Sequence, residues 1–107
     1  MIADVRLKVR MRLRALIEEM EREYRINPNT RDWINQARKD SGIAGAARST
    51  YRARVQNAFS GATIDYTPTR ILVYLPATYP RSGVPVTASY PRELTPVLFG
   101  IPSTDPF

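Results

Sequence analysis

Val5-Arg6-Leu7-Lys8-Val9-Arg10-Met11-Arg12-Leu13-Arg14 is the stretch on which the fold turns. Apolar and cationic residues alternate without exception, the pattern of a strand with one buried face. As a strand, Val5, Leu7, Val9, Met11 and Leu13 share one face, and Arg6, Lys8, Arg10, Arg12 and Arg14 the other. Residue type argues the other way. Leu, Arg, Met and Lys are good helix formers, and Asp4 offers a cap. The stretch also runs, without a turn residue, into Ala15 to Tyr24. There Leu13, Leu16, Ile17, Met20 and Tyr24 recur at helical spacing. Glu18 with Arg22 and Glu21 with Arg25 add favourable pairs four apart. Helix is the expectation for the whole run, with strand kept open for residues 5–14.

Further along, Asn27-Pro28-Asn29 ends or kinks the helix. Thr30 can cap a new start, with Trp33, Ile34 and Ala37 on one face. Asp40-Ser41-Gly42 reads as a break; alternatively, Gly42 and Gly45 are small contact points in a continuous helix. Ala44, Ala46, Ala47, Tyr51, Val55, Ala58 and Phe59 carry helical periodicity to Ser60-Gly61, a stop signal.

Beyond Gly61 the composition changes. Eight of the nine prolines lie after residue 60, whereas thirteen of the sixteen cationic residues lie before residue 55. Proline breaks helices, and β-branched runs favour strands. Strands are expected at 62–67, 70–76 and 84–90, with a further one at 95–99. Tyr79 to Gly83 reads as a turn, and Pro85 places its strand near a start or an edge.

The expected architecture is α+β. One domain covers residues 1–107, with a helical half over about 4–60, a β half over about 62–101 and a loose tail at 102–107. A long or broken helical region packs on an antiparallel sheet of three or four strands. Alternate residues of Ile71 to Leu75 and Val84 to Ala88 should meet the stripe Ile34, Tyr51, Val55 and Phe59.

Chemistry is constrained by what the chain lacks. It has no Cys and no His. That removes thiolate metal sites, disulfides and the commonest general base. Glu18, Glu19, Glu21 and Glu23 read as a solvated helix face because Arg22 and Arg25 lie beside them. Gly42-Ile43-Ala44-Gly45 matches no phosphate-loop pattern. The expectation is therefore a protein without enzymatic activity, cofactor or metal. No apolar stretch approaches the roughly 20 residues of a spanning helix, and no signal-peptide core follows the start. The chain is expected to be soluble.

Two surfaces remain as candidates for binding. One is the basic stripe Arg6, Lys8, Arg10, Arg12 and Arg14, in a chain of net charge +6. On a strand these cations could track a phosphate backbone, which makes a nucleic-acid or virion-associated module the alternative function. No aromatic residue lies in the stripe to stack on bases. The other surface is the apolar patch Leu94, Val97, Leu98, Phe99 and Ile101, an interaction site wherever it is exposed.

Gly83-Val84-Pro85-Val86-Thr87-Ala88-Ser89-Tyr90-Pro91, followed by Leu94-Thr95-Pro96-Val97-Leu98-Phe99-Gly100, resembles the end of TadE-like minor pilins of tight-adherence (Flp-type) pili. Ile34 to Ala46 is similar to that family's small-residue helix. The resemblance covers about residues 16–102 and implies a non-enzymatic assembly module. Its partners would be proteins, either other pilus components or further copies of itself, on the periplasmic side of a cell envelope. In place of the family's long apolar anchoring helix, this chain carries the charged run Leu13 to Arg25.

Overall fold

The computed structural model describes the backbone of residues 2–76 and 83–100, and the side chains of 5–76 and 83–100. The turn expected from Tyr79 to Gly83 is described only at Gly83. Ile101 and the tail 102–107 lie outside the described residues.

The alternating stretch is helical. Helix α1 runs Ile2–Ile26, so its 25 residues span about 38 Å at 1.5 Å per residue. That nearly matches the molecule's 43 Å long axis. The stripe that defines the second half of the helix continues backwards. Leu13, Ile17 and Met20 are buried, and Val5, Val9, Leu16 and Tyr24 pack against the core. Leu7 and Met11 cannot join this stripe at 3.6 residues per turn, and they stand in solvent. Asp4 lies inside the first turn rather than before it, so it is not the cap expected there.

Helix α2 spans Pro28–Ala37. Its cap is Asn27, not Thr30: the Asn27 side chain accepts from the backbone N–H of Asn29 at 3.0 Å and of Thr30 at 3.4 Å. Pro28 follows in the first helical turn, where its missing N–H costs nothing. Helix α3 spans Ser41–Ala58 and is capped by Asp40, whose carboxylate accepts from Gly42 and Ile43. Asp40-Ser41-Gly42 is thus a true break. Ala37, Ala44 and Ala47 are buried, and α2 and α3 pack together there. Gly61 ends the helical half at φ 88°, in the left-handed region that glycine enters without a Cβ clash.

Three antiparallel strands follow, β1 (Thr63–Tyr66), β2 (Arg70–Tyr74) and β3 (Val86–Ser89), in the order β1-β2-β3. Ile64 pairs with Val73, and Ile71 pairs with Ala88. Tyr66 therefore shares the inner face with Ile71, Val73, Val86 and Ala88. The last four are buried in one core cluster that also holds Ile34, Tyr51, Val55 and Phe59, whereas Val84, expected on the same sheet face, is exposed. Trp33 meets Tyr51 with ring centroids 6.2 Å apart. Helix α1 packs on β3.

The strand expected at 95–99 is absent. In its place stand a 3-10 turn, Arg92–Leu94, and the one-turn helix α4, Thr95–Leu98. Pro96 sits in the first turn of α4, which tolerates proline, whereas a ladder strand would need its N–H.

Candidate association surface

The C-terminal patch is core. Leu94, Val97 and Leu98 are fully buried, and Phe99 is partly buried. Ile101 lies beyond the described residues. The segment is clamped from α3. Arg52 donates from Nε to the Leu98 carbonyl at 2.7 Å, with its guanidinium carbon 4.2 Å from the centre of the Tyr66 ring. Thr95 donates its hydroxyl to the Pro68 carbonyl at 3.2 Å. The Tyr90 hydroxyl donates to the Thr67 carbonyl. Burial pushes both Tyr66 and Tyr90 up to about 12, against the pull of Arg52 toward ionisation. Burial likewise lowers the pKa of Arg52 itself. With three of its members in the interior, the patch cannot serve as an exposed docking site.

The basic stripe is dispersed by the helix. Lys8, Arg10, Arg12 and Arg14 are exposed, but they fall on two flanks. Lys8 and Arg12 lie on one side of the outward ridge, Arg10 and Arg14 on the other. Arg6 turns inward and donates to the carbonyls of Val84 at 2.7 Å and Pro85 at 3.2 Å, tying the start of α1 to the entry of β3. The single cationic face that a strand would have offered does not exist.

Between the flanks lies an apolar ridge. Leu7 is 55% exposed and Met11 62%, and Ala15, Glu18 and Arg22 continue their line. Val84, also 62% exposed, lies at the same end of α1, where Arg6 holds its carbonyl. Leu7 and Met11 were visible in the sequence, but the alternation placed them with Val5, Val9 and Leu13. Only a helical template separates the two sets.

The charge of α1 is segregated along its length. Residues 5–14 carry five cations and no acid, and residues 18–23 carry four Glu and one Arg. Arg54 of α3 ties the acidic half to the body, bonding Glu23 at 2.7 Å and Glu19 at 3.0 Å. The Glu23 hydrogen bond is the main cause of the raised Arg54 pKa. The same guanidinium lies 5.7 Å from the Tyr51 ring centre. Burial raises Tyr51. Glu21 pairs with Arg25 at 3.1 Å.

An open groove of about 370 Å³ runs between α1 and the end of β3, lined by Arg14, Ile17, Glu18, Glu21, Ser89, Tyr90 and Pro91. Its charges are mixed, and they belong to the same outer side of α1. Among the described residues no group of three or more His, Cys, Asp or Glu side chains could hold a metal ion. No helix among them is long and apolar enough to cross a membrane.

No family model, curated protein or solved structure matches this chain.

Proposed function

We propose that this protein is a non-enzymatic association module that works by protein–protein contact through the outer side of α1, in the manner of the soluble domain of a TadE-like minor pilin. The observation that carries the reading is the Leu7–Met11 ridge. Leu7 and Met11 stand in solvent on the outer side of α1, and Ile26 at its far end is 73% exposed, whereas Leu13, Ile17 and Met20 of the same helix are buried. The resemblance of the C-terminal half to minor pilins adds the expectation of a protein partner at the cell envelope.

The magnitudes define the kind of contact. Leu7 and Met11 are already partly covered, so burying the rest contributes about 1–2 kcal/mol each. Association costs at least about 4 kcal/mol in lost translational and rotational freedom. Two such side chains leave no surplus on their own, so the contact is reversible and depends on the charges beside the ridge. Those charges set partner and orientation more than raw affinity.

Nucleic acid is a weaker partner for this geometry. The cations sit on opposite flanks, Arg6 is engaged with backbone carbonyls, and four glutamates follow on the same helix. The test is mass by light scattering across a wide concentration range, alone and with candidate pilin subunits. The reading predicts mass above the monomer in at least one of these mixtures. A monomer throughout would refute it, and a salt-sensitive complex with DNA or RNA alone would favour the nucleic-acid alternative.

A further inference from the structure

We propose that the partner of α1 is the α1 of a second copy of this chain, paired antiparallel about a two-fold axis near Ala15. The proposal rests on the association reading above and names its occupant.

The argument begins with charge. The outer side of α1 is basic at Lys8, Arg10, Arg12 and Arg14 and acidic at Glu18, Glu19 and Glu21, with Arg22 among the acids. A parallel pair would set like on like along the whole contact. An anionic membrane or a nucleic acid would be attracted by the first half and repelled by the second. An antiparallel copy brings each half against its complement.

The register follows from helix geometry. A two-fold axis at Ala15 sets residue i level with residue 30 − i of the partner and keeps each flank facing the same flank. Glu19 lies on the flank of Lys8 and Arg12. It comes level with Met11, between those two cations. Glu21 lies on the flank of Arg10 and Arg14. It comes within one residue of the level of Arg10. Glu19 and Glu21 each spend one carboxylate oxygen on an intrachain bond, to Arg54 and Arg25. The second oxygen of each is the acceptor this pairing uses. Leu7 comes level with the stretch beside Arg22, whose aliphatic stem can cover it.

The axis itself falls on a small side chain. Ala15 is exposed, and it lets two helix backbones approach closely where they cross. Leu7, Met11, Ala15, Glu18 and Arg22 are all exposed along the face.

The absence of cysteine makes the test clean. Single cysteines are introduced as Ala15→Cys, Leu7→Cys and Arg22→Cys and challenged with a short bismaleimide crosslinker. Ala15→Cys is expected to link to itself. Leu7→Cys and Arg22→Cys should each stay unlinked alone and link when mixed. All three positions are exposed, and helical circular dichroism confirms folding of each variant. Raising NaCl from about 50 to 500 mM is expected to weaken the native dimer on the order of tenfold as the ion pairs are screened. Arg10→Glu/Arg12→Glu and Glu19→Lys/Glu21→Lys should each dissociate, and mixing them should restore a dimer. Self-linking of Leu7→Cys and of Arg22→Cys would mean a parallel pair and would overturn the proposal. A dimer by mass in which Ala15→Cys never links would also overturn it, while leaving the association reading standing. A monomer that still captures a pilin subunit would do the same. A monomer that captures nothing would remove both.

Discussion

Leu7 and Leu13 are the same residue type, six positions apart in one alternating run, yet the fold gives them opposite fates. Leu13 is fully buried and Leu7 is 55% exposed. Leu13→Ala removes three heavy atoms from a packed interior and leaves a cavity, which costs about 2–5 kcal/mol. Leu7→Ala removes the same atoms from solvent, and such surface changes stay within about 0.5 kcal/mol. Unfolding entropy near 2.1 cal/mol/K per residue makes 1 kcal/mol worth about 4–5 °C in Tm for a chain of this length. Leu13→Ala should therefore lower Tm by roughly 10–20 °C, and Leu7→Ala by about 2 °C or less. Urea unfolding followed by far-ultraviolet circular dichroism gives the same comparison, with an unchanged m-value confirming that only stability moved. In a strand the two leucines would share a face. Equal losses at both positions would refute the helical assignment and the outward ridge with it.

Other parts of the structure make separate predictions. Leu98→Ala should destabilise by about 2–5 kcal/mol because the side chain is core; a change below about 0.5 kcal/mol in a denaturant melt would return it to the surface. Arg54→Ala should cost on the order of 1 kcal/mol, less at high salt, because its bonds to Glu19 and Glu23 are part-exposed; Lys39→Ala, at an exposed position away from α1, is the control and should change stability by less than about 0.5 kcal/mol. Tyr66 and Tyr90 have folded-state pKa values near 12, above the ordinary 10.0. Their contribution to stability is intact below pH 10 and is lost between about pH 10 and 12, as the unfolded phenols ionise first. The phenolate absorbance of Tyr66 and Tyr90 should rise only above pH 10, with stability falling over that window; half-ionisation of both at pH 10 with no loss of stability would contradict their burial.

The sequence carried the architecture further than the surfaces. The change of composition at Gly61 separates helices from sheet because proline and β-branched residues act locally. The inner sheet face and the stripe Ile34, Tyr51, Val55 and Phe59 were legible for the same reason: period 2 and period 3.6 each mark a buried side. The alternating stretch satisfies both periods in part. Val5, Val9 and Leu13 fit a helix and a strand equally, so only Leu7 and Met11 discriminate, and they do so by being left out. The C-terminal patch failed for a different reason. The patch was an interaction site only on condition of exposure, and Leu94, Val97 and Leu98 do not meet that condition. Their cover is tertiary, from α3, with Arg52, 46 positions upstream, holding the Leu98 carbonyl. Caps were mis-assigned by a turn or less, since Asn27 could outcompete Thr30 once Pro28 fixed the first helical position.

The methionine methyl groups offer the most direct test of function. Met11 stands on the outer ridge, 62% exposed, and Met20 is fully buried on the same helix. With methyl-labelled protein, raising the concentration or adding a partner should shift or broaden the Met11 resonance and leave Met20 in place. Mass that grows while the Met11 signal stays unmoved would mean that the chain associates elsewhere, and that the outer side of α1 is only a solvated surface.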